Sequence, residues 1–454
     1  MTDAPQQRSG ESPQPPGETP PSQRENIIGL RRDEVLPAGL AVLMGFLLFS
    51  GYSVMKPLRD AANAAVADRF GEKAVAGLTT ATLVAMALAT LVVGTLVSLL
   101  GWRRFFALAQ VVWLVGALTY AVLFRTLPSS AGGGLLAGAF IVSVNVFNLL
   151  SLSLMWSRLS DLFTPERAKR VYPLIALGLT LGNIAGSASV ARFAKQVDAS
   201  AWLFISAAAL LGSMLAAFAL LRTPDRPAAP GSDPLRQPTG IAAIAARAVE
   251  GLTLIARSPY LLGLALYLLL YSTTGTILWF EQQRIVRAAE VTTEARTAAF
   301  ATIDLYTNIA TLALQGLVAG RILGLIGVAA ALTVTPLTTA AGISVLWAWP
   351  TLTAIIIVQV SRRALHYAID RPAREALYTV VSPAERHKAK SFIDTFVYRF
   401  GDQCGAWLQA ALGALSPAAV GGAIGACVVW GAVGIGLGRR FSVRSRPAAE
   451  QSGT

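Results

Sequence analysis

The sequence predicts an all-α polytopic membrane protein, with twelve transmembrane helices in two pseudo-symmetric six-helix bundles. Three observations predict it: uncharged runs of bilayer-spanning length, one-sided placement of Lys and Arg, and a likeness between the two halves of the chain. Of 454 residues, 54% are hydrophobic and only 14% charged, far from the balance of a soluble domain. Runs such as Val35–Met55, Ala74–Trp102, Phe105–Phe124, Val171–Ala191, Ala199–Leu221 and Ser258–Phe280 contain almost no charge. A spanning helix needs roughly 20 mostly apolar residues. Inside lipid its backbone must be satisfied within the segment, so such runs are helices.

Twelve spans are placed at 35–56, 74–100, 105–124, 134–156, 171–191 and 200–221, then 259–280, 297–320, 326–346, 351–369, 390–414 and 416–437. Two junctions rest on turn residues alone, Trp349-Pro350 and Ser416-Pro417. The Pro- and Gln-rich stretch before the first span (1–34) reads as a disordered tail without the apolar core of a signal peptide. Residues 222–257 read as a cytoplasmic linker between bundles 35–221 and 258–437, with Ile241–Ile255 as a surface helix within it, and 438–454 as a second tail.

Lys and Arg collect before span 1, in the even-to-odd connections and after span 12, whereas the 9–10 and 11–12 loops carry none. The positive-inside rule then makes both termini cytoplasmic and the span number even, as in a bacterial inner membrane. The net charge of +13 reflects this topology, so no nucleic-acid partner is implied. The halves answer each other: Leu162-Phe-Thr-Pro-Glu-Arg-Ala-Lys after span 4 matches Val381-Ser-Pro-Ala-Glu-Arg-His-Lys after span 10. Gly178, Gly182 and Gly186 on span 5 match Gly401 and Gly405 on span 11, a spacing that lets helices approach closely. Such a parallel six-plus-six repeat is the organisation of major-facilitator-type carriers.

Charges at bilayer depth carry the functional reading, because each is costly. Lys56, Arg59 and Asp60 close span 1 around Pro57. They form either a cationic floor for an anion or an interfacial cluster whose long side chains snorkel outward. Glu281 closes span 7, either at the repeat position of that cluster or as an interfacial carboxylate paired to Arg284. Asp304, mid-span 8, is a proton-coupling group or an interhelical anchor. Spans 10 and 11 carry Arg362, Arg363, His366, Asp370, Arg371 and Arg374, then Asp394, Arg399 and Asp402. These read as a self-neutralising network or a cytoplasmic latch, with Asp394 and Asp402 eight apart on one helix face. Asn145 and Asn148 suit a hydrogen-bonding cavity wall.

No HExxH, GxSxG or GxxxxGK[ST] occurs, and the two cysteines, Cys404 and Cys427, fall inside spans. Enzymatic activity, ATP hydrolysis, a bound cofactor and a metal site are therefore not expected.

Tyr52-Ser-Val-Met-Lys-Pro-Leu-Arg-Asp-Ala, Trp156-Ser-Arg-Leu-Ser-Asp-Leu-Phe-Thr-Pro-Glu-Arg-Ala-Lys-Arg and the segment from Arg371 to Thr395 resemble the ATP/ADP carrier family, over essentially all of 35–437. The resemblance implies a major-facilitator-like fold and an organic-anion substrate, nucleotides in the best-known members. The family's Lys-Asp at the end of span 1 is Arg59-Asp60 here, and its acidic residue on span 7 corresponds to Glu281. Where transporting members carry a span 4 glutamate, this chain has Val144 and Asn145. Where a lysine follows glycine on span 11, Asp402 follows Gly401, with the cation moved to Arg399.

The expected function is a secondary transporter for a small organic anion, by exchange or ion coupling, and by alternating access as a monomer. Lys56, Arg59, Asn145, Glu281 and Arg399 are the candidate substrate residues. Asp60, Asp304, Arg371, Arg374, Asp394 and Asp402 are the candidate ion-pair or coupling residues. The coupling partner would be a proton or a counter-substrate. Two alternatives stand beside it: a transport-inactive sensor or scaffold with a collapsed cavity, and a proton-coupled exporter of an amphiphile with a more apolar one.

Overall fold

The structure, a computed structural model, describes residues 32–127, 133–223, 250–318, 322–413 and 416–451. The tail at 1–31 and most of the linker, with the first part of the Ile241–Ile255 helix, lie outside the described residues.

Among the described residues, twelve long helices run one after another, and residues 250–257 before the seventh are also helical. They are α1 (Arg32–Phe70), α2 (Glu72–Leu100), α3 (Trp102–Thr126), α4 (Gly133–Leu162), α5 (Pro165–Phe193) and α6 (Ala199–Leu221). Then come α7 (Pro259–Ala289), α8 (Thr293–Val318), α9 (Ile322–Ala348, broken at Gly327), α10 (Leu352–Leu377), α11 (Pro383–Leu412) and α12 (Pro417–Gln451). A π turn interrupts α10 at His366–Asp370, and another interrupts α11 at Ile393–Val397; just beyond α10, Tyr378–Val380 tighten to 3₁₀. Nine of the described helices are long and apolar enough to cross a membrane, so the chain is an integral membrane protein. Outward-facing Leu88, Val92, Val112, Val115, Leu337 and Val428 are exposed as a lipid-facing surface would be.

Local sequence explains the helix starts. Thr164 accepts a hydrogen bond from the Arg167 N–H with Pro165 in the first turn, and Ser382 accepts from Glu385 with Pro383 there. The half-repeat is thus, locally, a pair of N-caps, each followed by a proline whose missing N–H is harmless at that position. Asp198, Ser258 and Thr351 cap α6, α7 and α10 in the same way. Gly71 (φ 80°) and Gly101 (φ 76°) each turn the chain in a single residue, a conformation that favours glycine.

Two expected boundaries shift. Helix α1 does not end at Lys56; it runs 14 residues further, through Pro57, to Phe70. Because α2 starts at once beyond Gly71, Lys56 and Arg59 lie roughly 15–20 Å from that end of the bundle at ~1.5 Å per residue, well inside it. Helix α12 likewise continues to Gln451 through the stretch expected to be a tail.

The largest apolar core is drawn almost wholly from α1–α6, around Met44, Leu48, Phe106, Phe140, Met155 and Trp202. Two further cores lie in α7–α12, one around Tyr260, Tyr267, Tyr378 and Trp430, the other around Leu278, Ile343 and Ile355. Glycine seams bring helices together within each set. A Cβ on Gly178, Gly182 or Gly186 of α5 would strike the carbonyls of Val42, Phe46 and Ser50, three residues also spaced by four on α1. Gly401 and Gly405 of α11 press on the carbonyls of Leu269 and Thr273 of α7 in the same manner.

Candidate functional site

Between the first six helices and the last six lies a cavity of about 750 Å³, lined by both sets. Its charged lining is unbalanced. Lys56, Arg59, Arg362, Arg363, Arg371 and Arg399 face it against Asp60, Asp304 and Asp402, an excess of three positive charges. Tyr52, Trp156, Tyr271, Trp279 and Tyr398 add aromatic surface, and Asn145, Asn148, Asn183 and Asn308 add amides.

Each cation is held differently. Lys56 of α1 meets Asp304 of α8 in an ion pair that crosses between the two sets of helices. The other oxygen of Asp304 accepts from Arg363 Nη1 at 3.1 Å, and Arg363 also donates to Gln282 at 3.3 Å. Arg59 donates twice to Asp60, at 3.1 and 2.7 Å, and once to Asn145 Oδ1 at 2.6 Å. Arg399 meets Asp402 at 3.4 Å, and Thr276 donates to the other oxygen of Asp402 at 3.2 Å.

Arg362 is 5% exposed, has no carboxylate partner among the described residues, and lies over the Tyr271 ring at 5.1 Å. Its guanidinium fills the space above Gly275, where a Cβ would collide with it. Arg371 is exposed at the cavity wall, and its side chain makes no hydrogen bond or ion pair among the described residues.

One end of the cavity is tied shut. Arg287, near the end of α7, pairs with Asp68 at 3.5 Å and Glu72 at 3.1 Å, and Arg296 of α8 pairs with Asp68 at 2.6 Å. These contacts join the α1–α2 turn to the α7–α8 turn. A little deeper, Thr80 of α2 donates to Gln403 of α11 at 2.8 Å and accepts from Trp407 at 3.1 Å. Arg371, toward the opposite end, is one of the exposed residues of the lining.

One sequence expectation needs correction. Glu281 does not face the cavity. It is fully buried, accepting from Arg284 at 2.5 and 2.8 Å and from Gln409 at 2.9 Å. Helix α7 runs on to Ala289, so Glu281 is an interior position packed toward α11 rather than a helix end. Asp394 and Asp402 stand eight residues apart along α11, and only Asp402 lines the cavity, whereas Asp394 lies off it, 3.9 Å from Arg374. Arg374 of α10 likewise lies off the cavity and meets Asp394 of α11, an ion pair between the two helices of the kind the sequence suggests. Conversely, sequence reasoning does not single out Arg362, Arg363, Tyr52 or Tyr271 as substrate residues. The signal that could have found the first two is an Arg pair set in the apolar run Ile355–Leu365.

No protein-family model matches the chain, and no curated protein matches its sequence. Solved structures do match in fold. A single-site mutant of the peptide transporter POT is 13% identical with a TM-score of 0.62, over 93% of this chain and 97% of that one. A D-xylose–proton symporter is 13% identical with a TM-score of 0.61, over 90% and 97%. The nucleoside transporter NupG is 12% identical with a TM-score of 0.57, over 89% and 98%. The chain therefore has a major-facilitator-superfamily-like fold, and these structural neighbours are transporters rather than enzymes.

Proposed function

We propose that this chain carries a small organic anion across a bacterial inner membrane by alternating access. All twelve helices span the membrane as two six-helix bundles, with both termini cytoplasmic. The observation that carries the reading is the cavity's excess of three positive charges, with Arg362 and Arg371 lacking a carboxylate partner among the described residues. Cations packed together in a low-dielectric wall repel one another, and a bound anion relieves that repulsion. Lys56, Arg59, Asn145 and Arg399 bind substrate as the sequence suggests, now joined by Arg362, Arg363 and Arg371. Asp60, Asp304 and Asp402 act as counter-ions that an anion displaces.

The likeness of three motifs to the ATP/ADP carrier family makes nucleotides the first anions to test. A cavity of about 750 Å³ favours transport over a scaffold with a collapsed interior, and its excess of cations favours an anion over an amphiphile. The test is uptake of labelled nucleotides, inorganic phosphate and dicarboxylates into proteoliposomes, with and without internal anion and a pH gradient. Saturable uptake of one class, reduced at least tenfold in Arg59→Ala, is the expected result. Equal uptake by wild type and Arg59→Ala for every anion would remove the site.

A further inference from the structure

Beside the cavity, within α7, α9 and α10, lies a buried polar chain that the carrier reading does not use. His366 Nδ1 is 2.9 Å from Asp370 Oδ2, and the other oxygen of Asp370 contacts the Tyr267 hydroxyl. That hydroxyl also lies 2.8 Å from the Leu332 carbonyl. His366, Asp370 and Tyr267 are 6%, 1% and 0% exposed. Gly434 of α12 closes the site, since a Cβ there would stand 3.1 Å from the Leu332 oxygen.

Counting hydrogens decides what this chain holds. A phenol has one proton, and here it faces two oxygens. The Leu332 carbonyl would ordinarily accept from the N–H of residue 336, but Pro336 has none. A carbonyl orphaned inside a helix is expensive, so Tyr267 is its natural donor. With the phenol proton spent there, the contact between Tyr267 and Asp370 needs a hydrogen from the carboxyl. The remaining carboxyl oxygen then accepts from the Nδ1–H tautomer of a neutral His366, and each of the three side chains is satisfied at these contacts.

We propose that Asp370, with His366 as its partner, is a buried proton-binding site, and that the proton bound there is the ion coupled to transport. The cluster reaches the cavity through one ring. Tyr271 lines the cavity, stacks on His366 at 4.1 Å and 17°, and carries Arg362 over its face. An anion drawn to Arg362 shifts Tyr271 and with it the ring of His366. Both proton-bearing residues belong to the π turn, a wide turn that can return to α-helix by a local rearrangement.

The other ionisable or charged groups around the pair are Arg362, Tyr367 and Arg374 of α10, Tyr271 of α7, Tyr398 of α11 and Cys427 of α12; α9 contributes none. Proton loss from Asp370 would leave a carboxylate facing Arg374, the cation best placed to receive it. The coupling half of the proposal rests on the carrier reading; the proton site does not.

The test reads the proton directly. Infrared spectra of the purified protein in lipid nanodiscs, ligand-free and near neutral pH, should contain a protonated-carboxyl C=O band. That band should be lost in Asp370→Asn, retained in Asp402→Asn, and shifted in frequency in Tyr267→Phe, which removes the acceptor of the carboxyl proton. Should Asp370→Asn fail to fold, the Tyr267→Phe shift decides alone. A spectrum without the band, or one unchanged in both Asp370→Asn and Tyr267→Phe, overturns the proton site. For coupling, an imposed pH gradient should accelerate proteoliposome uptake of the anion that wild type carries, and Asp370→Asn should abolish that acceleration. Acceleration retained in Asp370→Asn overturns the coupling while leaving the infrared result standing. If no anion is taken up at all, the carrier reading fails and the infrared arms still decide the site.

Discussion

Removing Arg287 should unlatch the closed end of the cavity. Its guanidinium holds two carboxylates from the opposite set of helices, Asp68 at 3.5 Å and Glu72 at 3.1 Å. Asp68 is nearly half-exposed, so that longer contact belongs at the low end of the ~0.2–1 kcal/mol measured for solvent-exposed pairs. Glu72 is more enclosed and belongs near the top. Together they contribute about 1 kcal/mol, roughly a fivefold shift in the ratio of closed to open at this end. Arg296→Ala removes one pair with the same half-exposed Asp68 and should shift the ratio only about twofold.

Spin labels at Arg69 and Ala289, positions on the two sides of this end, would report the populations by pulsed dipolar distance measurement. Raising salt from about 0.1 to 1 M shortens the screening length from ~10 to ~3 Å, and should partly mimic the mutation in wild type. It should add little in an Arg287→Ala/Arg296→Ala double variant. An Arg287→Ala distance distribution identical to wild type at both salt concentrations would refute the latch.

Three other perturbations test the interior. Asp304→Asn strips Lys56 and Arg363 of their shared carboxylate and should destabilise by up to ~3 kcal/mol, the low end for breaking a buried pair. Thermal unfolding of Asp304→Asn, Lys56→Met and the double variant should therefore be non-additive, with the second substitution recovering part of the loss. Gly182→Ala, which drives a methyl into the Phe46 carbonyl, should cost about 1–3 kcal/mol by overpacking. Gly77→Ala on α2 meets nothing within 4 Å and should be neutral or slightly stabilising by the same assay. Arg362→Ala should weaken binding of whichever anion is carried more than Glu281→Gln does, since only Arg362 reaches the cavity; equal effects in direct binding measurements would contradict that geometry.

The helices were legible because membrane helices announce themselves by run length, and their starts by caps such as Thr164-Pro165 and Ser382-Pro383. Their ends were less so. Asp60–Phe70 is Ala-rich and carries three charges, which reads as a loop, yet neighbours bury most of it and hold it helical. That error placed Lys56 and Arg59 at the end of a span, when helix α1 continues well beyond them. Which charges meet one another was legible only within a turn of helix, as for Arg399 with Asp402 or Arg284 with Glu281. The pairing of Lys56 with Asp304, 248 residues away, has no local signature. The π turns were invisible as well, since nothing in His366–Asp370 or Ile393–Val397 departs from ordinary helix composition.

The glycine seams limit how such a molecule can move. Where α5 rests on α1 carbonyls at three successive turns, and α11 on α7 at two, neither pair can slide without driving atoms into backbone. Lys56 and Arg59 are therefore carried by a two-helix beam rather than by a single bendable rod. The compliant joints must be those without a seam, among them the α2–α11 contact fastened by Thr80, Gln403 and Trp407. A lever that stiff transmits a small displacement at its deep end to its far tip almost undiminished, so a modest repositioning around a bound anion suffices to part the turns roughly 15–20 Å away.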